Sequence, residues 1–149
     1  MIYLEYERLK KKYRKTQTYF QDILDEKERL FQKTQPQSMS FDHERVYGGI
    51  RKNKVDTYMI EIEKLDDQLK VAESMLAKRM ILIKAKEKEL RMSRNTEDMV
   101  YCLKFLDRLK TADIAGKLCY SEISIRRYLK KISENIKMIE NDTFICDII

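Results

Sequence analysis

Two seams of apolar positions run through the first two thirds of the chain. From about Tyr3 to Lys33, the residues Tyr6, Leu9, Tyr13, Thr16, Phe20, Ile23, Lys27 and Leu30 alternate spacings of three and four, the interval that lines up one face of an α-helix. From about Lys54 to Met92 a second seam passes through Tyr58, Ile62, Leu65, Leu69, Ala72, Leu76, Arg79, Ile83 and Leu90, with Glu, Asp and Lys filling most positions between. A long helix with a polar surface cannot bury such a seam alone. The two are therefore expected to pack as an antiparallel hairpin, against a second copy, or both. Tyr, Thr, Ala and the charged Lys27 and Arg79 inside the seams fit a broad, coiled-coil-like bundle better than a strict zipper. Met75, Met80 and Leu82 are left for some other surface, and self-association is the simplest way to cover them.

Between the seams, residues 34–53 collect the only proline and two of the three glycines. This stretch reads as a loop that either lacks order or packs through Met39, Phe41, Val46 and Tyr47. After Met92 the style changes. Ser93 to Thr96 form a break in which Asn95 or Thr96 caps a short helix to about Leu109, with Glu97 and Asp98 in the first turn as the helix dipole favours. Thr111 then caps two helical turns, Cys119 and Tyr120 make a tight turn, and Ser121 caps a last helix to about Met138. The expected organisation is all-α, with a helical scaffold over residues 1–92, a three-helix module over 93–140, and an apolar tail over 141–149.

Composition agrees with helix and narrows the chemistry. Only three glycines and one proline, with 38% charged residues, favour long helices over strands. The net charge of +6 and pI of about 9.1 suit a polyanionic partner, although solvated helix surfaces alone also produce this balance. Cys102, Cys119 and Cys146 have no metal-ligand spacing, and His43 is the only histidine, so no disulfide framework, metal site or cofactor is indicated. The N-terminus acquires charge too early for a signal peptide, and no apolar run approaches the roughly 18 residues that span a bilayer. A reducing cytoplasm, with no membrane contact, is the expected setting.

The second and third short helices carry the functional signal. A helix-turn-helix needs a small residue where its helices cross and apolar residues on the facing sides. Ala115 supplies the first, and Ile114, Leu118, Tyr120, Ile125 and Tyr128 supply the second, with Leu129 and Ile132 extending the stripe. At 100° per residue, Ile123, Ser124, Arg126, Arg127, Lys130 and Lys131 then occupy the outer half of the last helix. Cations for phosphates and guanine edges, serine for either, and an apolar side chain for a thymine methyl are what a major-groove helix requires. With Ser121 and Glu122 at the helix start, these residues form the candidate DNA-reading set.

The run Asp113-Ile-Ala-Gly-Lys-Leu-Cys-Tyr-Ser-Glu-Ile-Ser-Ile-Arg-Arg resembles the helix-turn-helix of sigma-factor region 4 and of the ArpU-type phage transcriptional regulators. Asp113 stands where that pattern has Glu, Cys119 where it has Gly, and Ser124 where it has Thr. Ser40-Phe-Asp-His-Glu-Arg-Val-Tyr-Gly-Gly is similar to a loop those regulators carry between their first two helical segments. The resemblance implies a phage-encoded, DNA-binding regulator of late genes in the cytoplasm of a bacterial host, binding duplex DNA as a homo-oligomer, with RNA polymerase as a further candidate partner. Two other readings fit the same elements: a phage small terminase subunit, and a coiled-coil interaction protein that does not bind DNA.

Other signals lead elsewhere. Gly48-Gly49 before a basic run lacks the Walker spacing and a preceding strand. Asp42 and His43 have no evident nucleophile beside them, and the helical carboxylates interleave with Lys as solvent-exposed pairs. No enzyme is expected. The run Lys10-Lys11-Lys12-Tyr13-Arg14-Lys15 is cationic enough to touch phosphate, yet on a helix it spreads over more than one face.

Overall fold

The computed structural model describes residues 1–35 and 49–142. Among them are five α-helices and no strand: α1 (Ile2–Thr34), α2 (Gly49–Arg91), α3 (Thr96–Tyr101), α4 (Thr111–Leu118) and α5 (Glu122–Asn141), with a π-helical turn over Cys102–Leu106 directly after α3. The chain is all-α, as its periodicity predicts. The expected packing through Met39, Phe41, Val46 and Tyr47, the Asp42–His43 pair, and the tail from Thr143 lie outside the described residues.

The helices form two compact units, Met1–Arg14 with Lys78–Ile149, and Lys15–Ala77. This grouping differs from a division at Ser93. The first turns of α1 and the end of α2 belong with the short helices because they share a core with them. Tyr3, Tyr6, Ile83, Leu90, Val100, Tyr101, Ile114, Ala115, Ile125 and Ile132 form one buried cluster. At its centre Tyr101 stacks on Tyr3 at 5.3 Å and on Phe105 at 4.9 Å, with Tyr6 edge-on at 6.2 Å.

A buried carboxylate organises this first unit. The backbone amides of Ile2 and Tyr3 donate to Asp98 at 3.5 and 3.0 Å, and the Ser93 hydroxyl donates to it at 2.8 Å. Helix N-termini leave amides unpaired, and here the acceptor comes from α3, some ninety-five positions away in sequence. Asn95 caps α3 by accepting from the Glu97 amide at 2.9 Å. Lys86 pairs with Glu5 at 2.8 Å, and Arg79, the charged member of the second seam, donates to the Lys12 carbonyl at 2.7 Å. Residue numbers thus fall along α2 as they rise along α1, the antiparallel pairing.

The second unit is simpler. Among its described residues, Thr16, Ile23 and Leu30 of α1, and Ile62 and Ala72 of α2, are buried. Lys27 pairs with Asp66 at 2.5 Å and the Lys33 ammonium lies 5.7 Å from the Tyr58 ring centre, again antiparallel. Every seam position in both units is buried or half-buried.

Four boundaries differ from expectation. α2 begins at Gly49, inside the expected loop; extending a nucleated helix costs little, so the basic run after Gly49 joins it. Lys110, without a side-chain bond, precedes α4, and Thr111 is its first helical residue. α5 continues to Asn141. Finally, no single α-helix reaches Leu109. The Asp107 amide bonds back to the Cys102 carbonyl at 3.0 Å, a five-residue closure. An α-helical turn would carry residue 106 about 140° past residue 101, whereas the wider π turn keeps Leu106 near the Tyr101 side. Arg108 then takes a left-handed φ of 56° and ends the element.

Candidate nucleic-acid interface

α4, the turn and α5 are built as a helix-turn-helix requires. Ile114 and Ile125 are fully buried, Ala115 is buried in the same cluster, and Leu118 and Tyr128 pack on its edge. α4 stops where the amides of Cys119 and Tyr120 both bond to the Ala115 carbonyl, a Schellman-like end. That geometry puts Cys119 at φ 56°, ψ 37°, a conformation glycine adopts without strain and L-residues do not. Tyr120 is a correction to the expected core. It emerges just past the left-handed residue and is 42% exposed, with its ring edge against Tyr128 at 6.2 Å.

Ser121 caps α5 as predicted, accepting from the Ser124 amide at 3.2 Å. Its hydroxyl is also 2.9 Å from that of Ser124, so both serines are engaged in holding the helix start. Glu122 is exposed and pairs with Arg126 one turn on at 3.3 Å. Ile123 is 63% exposed. Arg127 and Lys130 are exposed and form no hydrogen bond or ion pair among the described residues. With Ile125 and Ile132 inward, Ile123, Arg127, Lys130 and Glu134 make the most outward stripe of α5, apolar and cationic over its first turns and acidic after them.

Lys131 is placed differently from its neighbours. Its ammonium donates to Glu97 of α3 at 2.6 Å, and this contact holds its pKa above the ordinary lysine value. Glu97 is buried, and Tyr3 also donates to it, at 3.4 Å. Burial first, and the contacts with Glu97, push the Tyr3 hydroxyl pKa up. In the Lys10–Lys15 run, the first two lysines are engaged within the chain. Lys10 meets Glu7 at 3.2 Å, and Lys11 donates to the carbonyls of Ile139, Glu140 and Asp142 at the end of α5, at 2.6, 3.0 and 2.6 Å. Apart from the local Lys10–Glu7 pair, these anchors have no signature in local sequence, because Tyr3–Glu97 and the Lys11 bonds join positions more than ninety residues apart and Lys131–Glu97 thirty-four.

Beside the motif, the end of α2, the π turn and α4 enclose a cleft of about 270 Å³. Its walls include Leu90, Met99, Leu103 and Leu118, and burial pushes the Cys102 thiol pKa up to about 11. Arg91 closes one side through Asp107 at 3.0 Å and Glu87 at 3.3 Å, so the charges there compensate one another. Among the described residues no group of His, Cys, Asp and Glu could hold a metal ion, and no helix is long and apolar enough to cross a membrane. No protein-family model, no curated protein and no solved structure matches the chain.

Proposed function

We propose that this chain is a sequence-specific, double-stranded-DNA-binding transcriptional regulator, phage-encoded and acting on late genes, as the resemblance to ArpU-type regulators implies. The observation that carries the reading is the outward stripe of α5. Two cations that have no partner among the described residues, Arg127 and Lys130, lie on one stripe with the exposed Ile123, on a helix whose opposite face is locked into a helix-turn-helix core. Phosphate neutralisation and base-edge contact both need such unengaged cations. Arg127, nearest the centre of the stripe, takes the guanine contact, and Lys130, farther from the helix start, meets phosphate. The host cytoplasm is the setting, and RNA polymerase a candidate partner.

Self-association belongs to the same reading, since Tyr19, Phe31, Met59, Ile60 and Val71 of the second unit are each about half exposed. Those same side chains favour the coiled-coil interaction protein as the second reading. Selection of bound sequences from a random duplex pool, followed by titrations at several salt concentrations, tests the proposal. Arg127→Ala should cost about 1–3 kcal/mol on the selected site and blunt discrimination at one base pair. A wild-type protein that enriches no sequence and shifts no duplex sinks the DNA reading. A reporter driven from the selected site separates a regulator from a small terminase subunit, which would bind without changing transcription.

A further inference from the structure

α5 carries a second stripe, flanking the outward one. Lys131, Asn135 and Ile139 follow at intervals of four, and at each level the helix is tied to α1 or α3. The Lys131 ammonium donates to Glu97 at 2.6 Å, the Asn135 amide nitrogen donates to the Tyr3 hydroxyl at 2.8 Å, and the Ile139 carbonyl accepts from Lys11 at 2.6 Å. Tyr3 closes the network by donating to the other Glu97 oxygen at 3.4 Å. These ties act sideways on α5 and add directional restraint to the apolar core beneath it, since hydrogen bonds are directional and the hydrophobic effect is not. At a radius of about 5–6 Å, turning α5 by 10° moves an outward side chain by about 1 Å, beyond the tolerance of about 0.5 Å that a preorganised contact demands. Lys131 lies one turn from Arg127, so its tie governs the residue placed to read a base.

We infer that Lys131, with its carboxylate partner Glu97, is a positioning residue that fixes the rotation of α5 for DNA reading, and is not itself a phosphate ligand. The inference rests on the DNA-binding reading. Its chemistry is that of a buried carboxylate needing compensation: the Glu97 side chain is 9% exposed, and withdrawing Lys131 toward a phosphate would leave it with the Tyr3 hydroxyl alone, an arrangement that burial penalises. The start of α1 is thereby part of the DNA-binding module, although it stands more than a hundred residues before the reading helix.

The test uses the full chain and the duplex selected as above. A phosphate ligand and a positioning residue respond oppositely to charge exchange. Lys131→Glu should weaken specific binding by about tenfold or more, and adding Glu97→Lys should restore it to within about threefold, since the pair is rebuilt with reversed polarity. Glu97→Gln alone should also weaken specific binding, even though it removes a negative charge. Lys131→Met should leave the salt dependence of binding as it is in the wild type. If the double variant binds as weakly as Lys131→Glu, or if Lys131→Met lowers the salt slope by about one unit, Lys131 is a phosphate ligand and the inference is overturned. If the wild type binds no duplex, the DNA reading falls separately, and hydrogen exchange judges the tie: α5 amides deprotected by Lys131→Glu and protected again in the double variant support it, and amides that stay deprotected overturn it.

Discussion

The two compact units solve the burial problem in different ways. The core of the first draws on α1, α2, α3, the π turn, α4 and α5, and it shelters Glu7, Glu97 and Asp98 together with tyrosine hydroxyls. The second has two helix segments and one seam, and its ion pairs stay at the surface: in Lys27–Asp66 the side chains are 36% and 41% exposed. A core enclosed from several sides can keep charged groups out of water and satisfy each of them, and such satisfied polar networks specify one arrangement. A single seam cannot, so the second unit relies on apolar contact and leaves large apolar side chains in solvent. Precise geometry is therefore found where the proposed reading helix is, and adaptable surface where an oligomer would form.

The largest effect that separates the units should come from alkali. Tyr101 is buried and donates to Glu7, and burial above all holds its pKa well above the ordinary 10.0; Tyr3 and Tyr6 are shifted the same way. In the unfolded chain these hydroxyls ionise near pH 10, while in the folded chain they keep their protons. Stability is thus fully present below pH 10 and is lost as pH rises above it. Phenolate absorbance and circular dichroism should change together in that range, and Tyr101→Phe should flatten the loss. If the phenolate absorbance that Tyr101→Phe removes appears near pH 10 without any loss of helix, the account of the first core is contradicted.

Next in size is a matched pair of truncations. Ile125→Ala, at a position fully closed from solvent in the many-sided core, should cost about 4 kcal/mol, because surrounding helices are held from several directions and cannot collapse into the void. Ile62→Ala in the second unit should cost about 2 kcal/mol, near the lower limit for such changes, since its single seam can relax. Urea unfolding measures both, and equal costs would mean that the units are packed alike.

How far each region could be read from sequence follows the same division. Periodicity found both seams, because a helix repeats its burial every three or four residues and this is a local property. The caps at Asn95 and Ser121 and the buried Ile114, Ala115 and Ile125 were legible for the same reason: each is set by neighbours within one or two turns. The grouping of residues 1–14 with the short helices was not. Asp98 capping α1, Glu7 accepting from Tyr101, and Lys131 meeting Glu97 depend on which distant segments pack together, and a Glu or Lys at a helical position has the same local signature whether it is buried or solvated. Helical rotation alone puts Lys131 on the same half of α5 as Arg127 and Lys130, although its tip is turned to α3. The π turn has no local signal, because Tyr101 and Cys102 continue a helical pattern up to the closure at Asp107.

Two substitutions in the helix-turn-helix should each add about 1 kcal/mol, and they sharpen the contrast between local strain and core packing. A Cβ at Gly116 would meet nothing within 4 Å, so Gly116→Ala removes the entropy that glycine loses in a helix without adding a clash. Cys119→Gly relieves the left-handed conformation of an L-residue, less the greater freedom glycine has when unfolded. Thermal melting reads both. A destabilising Gly116→Ala would show that α4 is packed more tightly there than its open surroundings indicate, and a destabilising Cys119→Gly would show that the thiol contributes more than its backbone costs.

The smallest effect tests the charged pairs. Lys27 occupies a seam position in the second unit, and its bond to Asp66 spans two half-exposed side chains. Such pairs contribute about 0.2–1 kcal/mol, and a methionine at the same place gains part of that back by covering the seam with an unbranched apolar chain. Lys27→Met should therefore shift stability by less than about 0.5 kcal/mol in either direction. Lys131→Met removes a lysine of the same kind from a contact of nearly the same length, yet it leaves behind a carboxylate already out of water, and its cost should be distinctly larger. Urea midpoints of the two variants, taken at low and high salt, make the comparison. The Lys27 variant should track the wild type more closely as salt rises, whereas the Lys131 variant should keep its deficit, because ions in solution do not reach the Glu97 side chain. Equal deficits in the two variants would show that Glu97 is as well solvated as Asp66, and the difference drawn between the two units would then rest on their apolar packing alone.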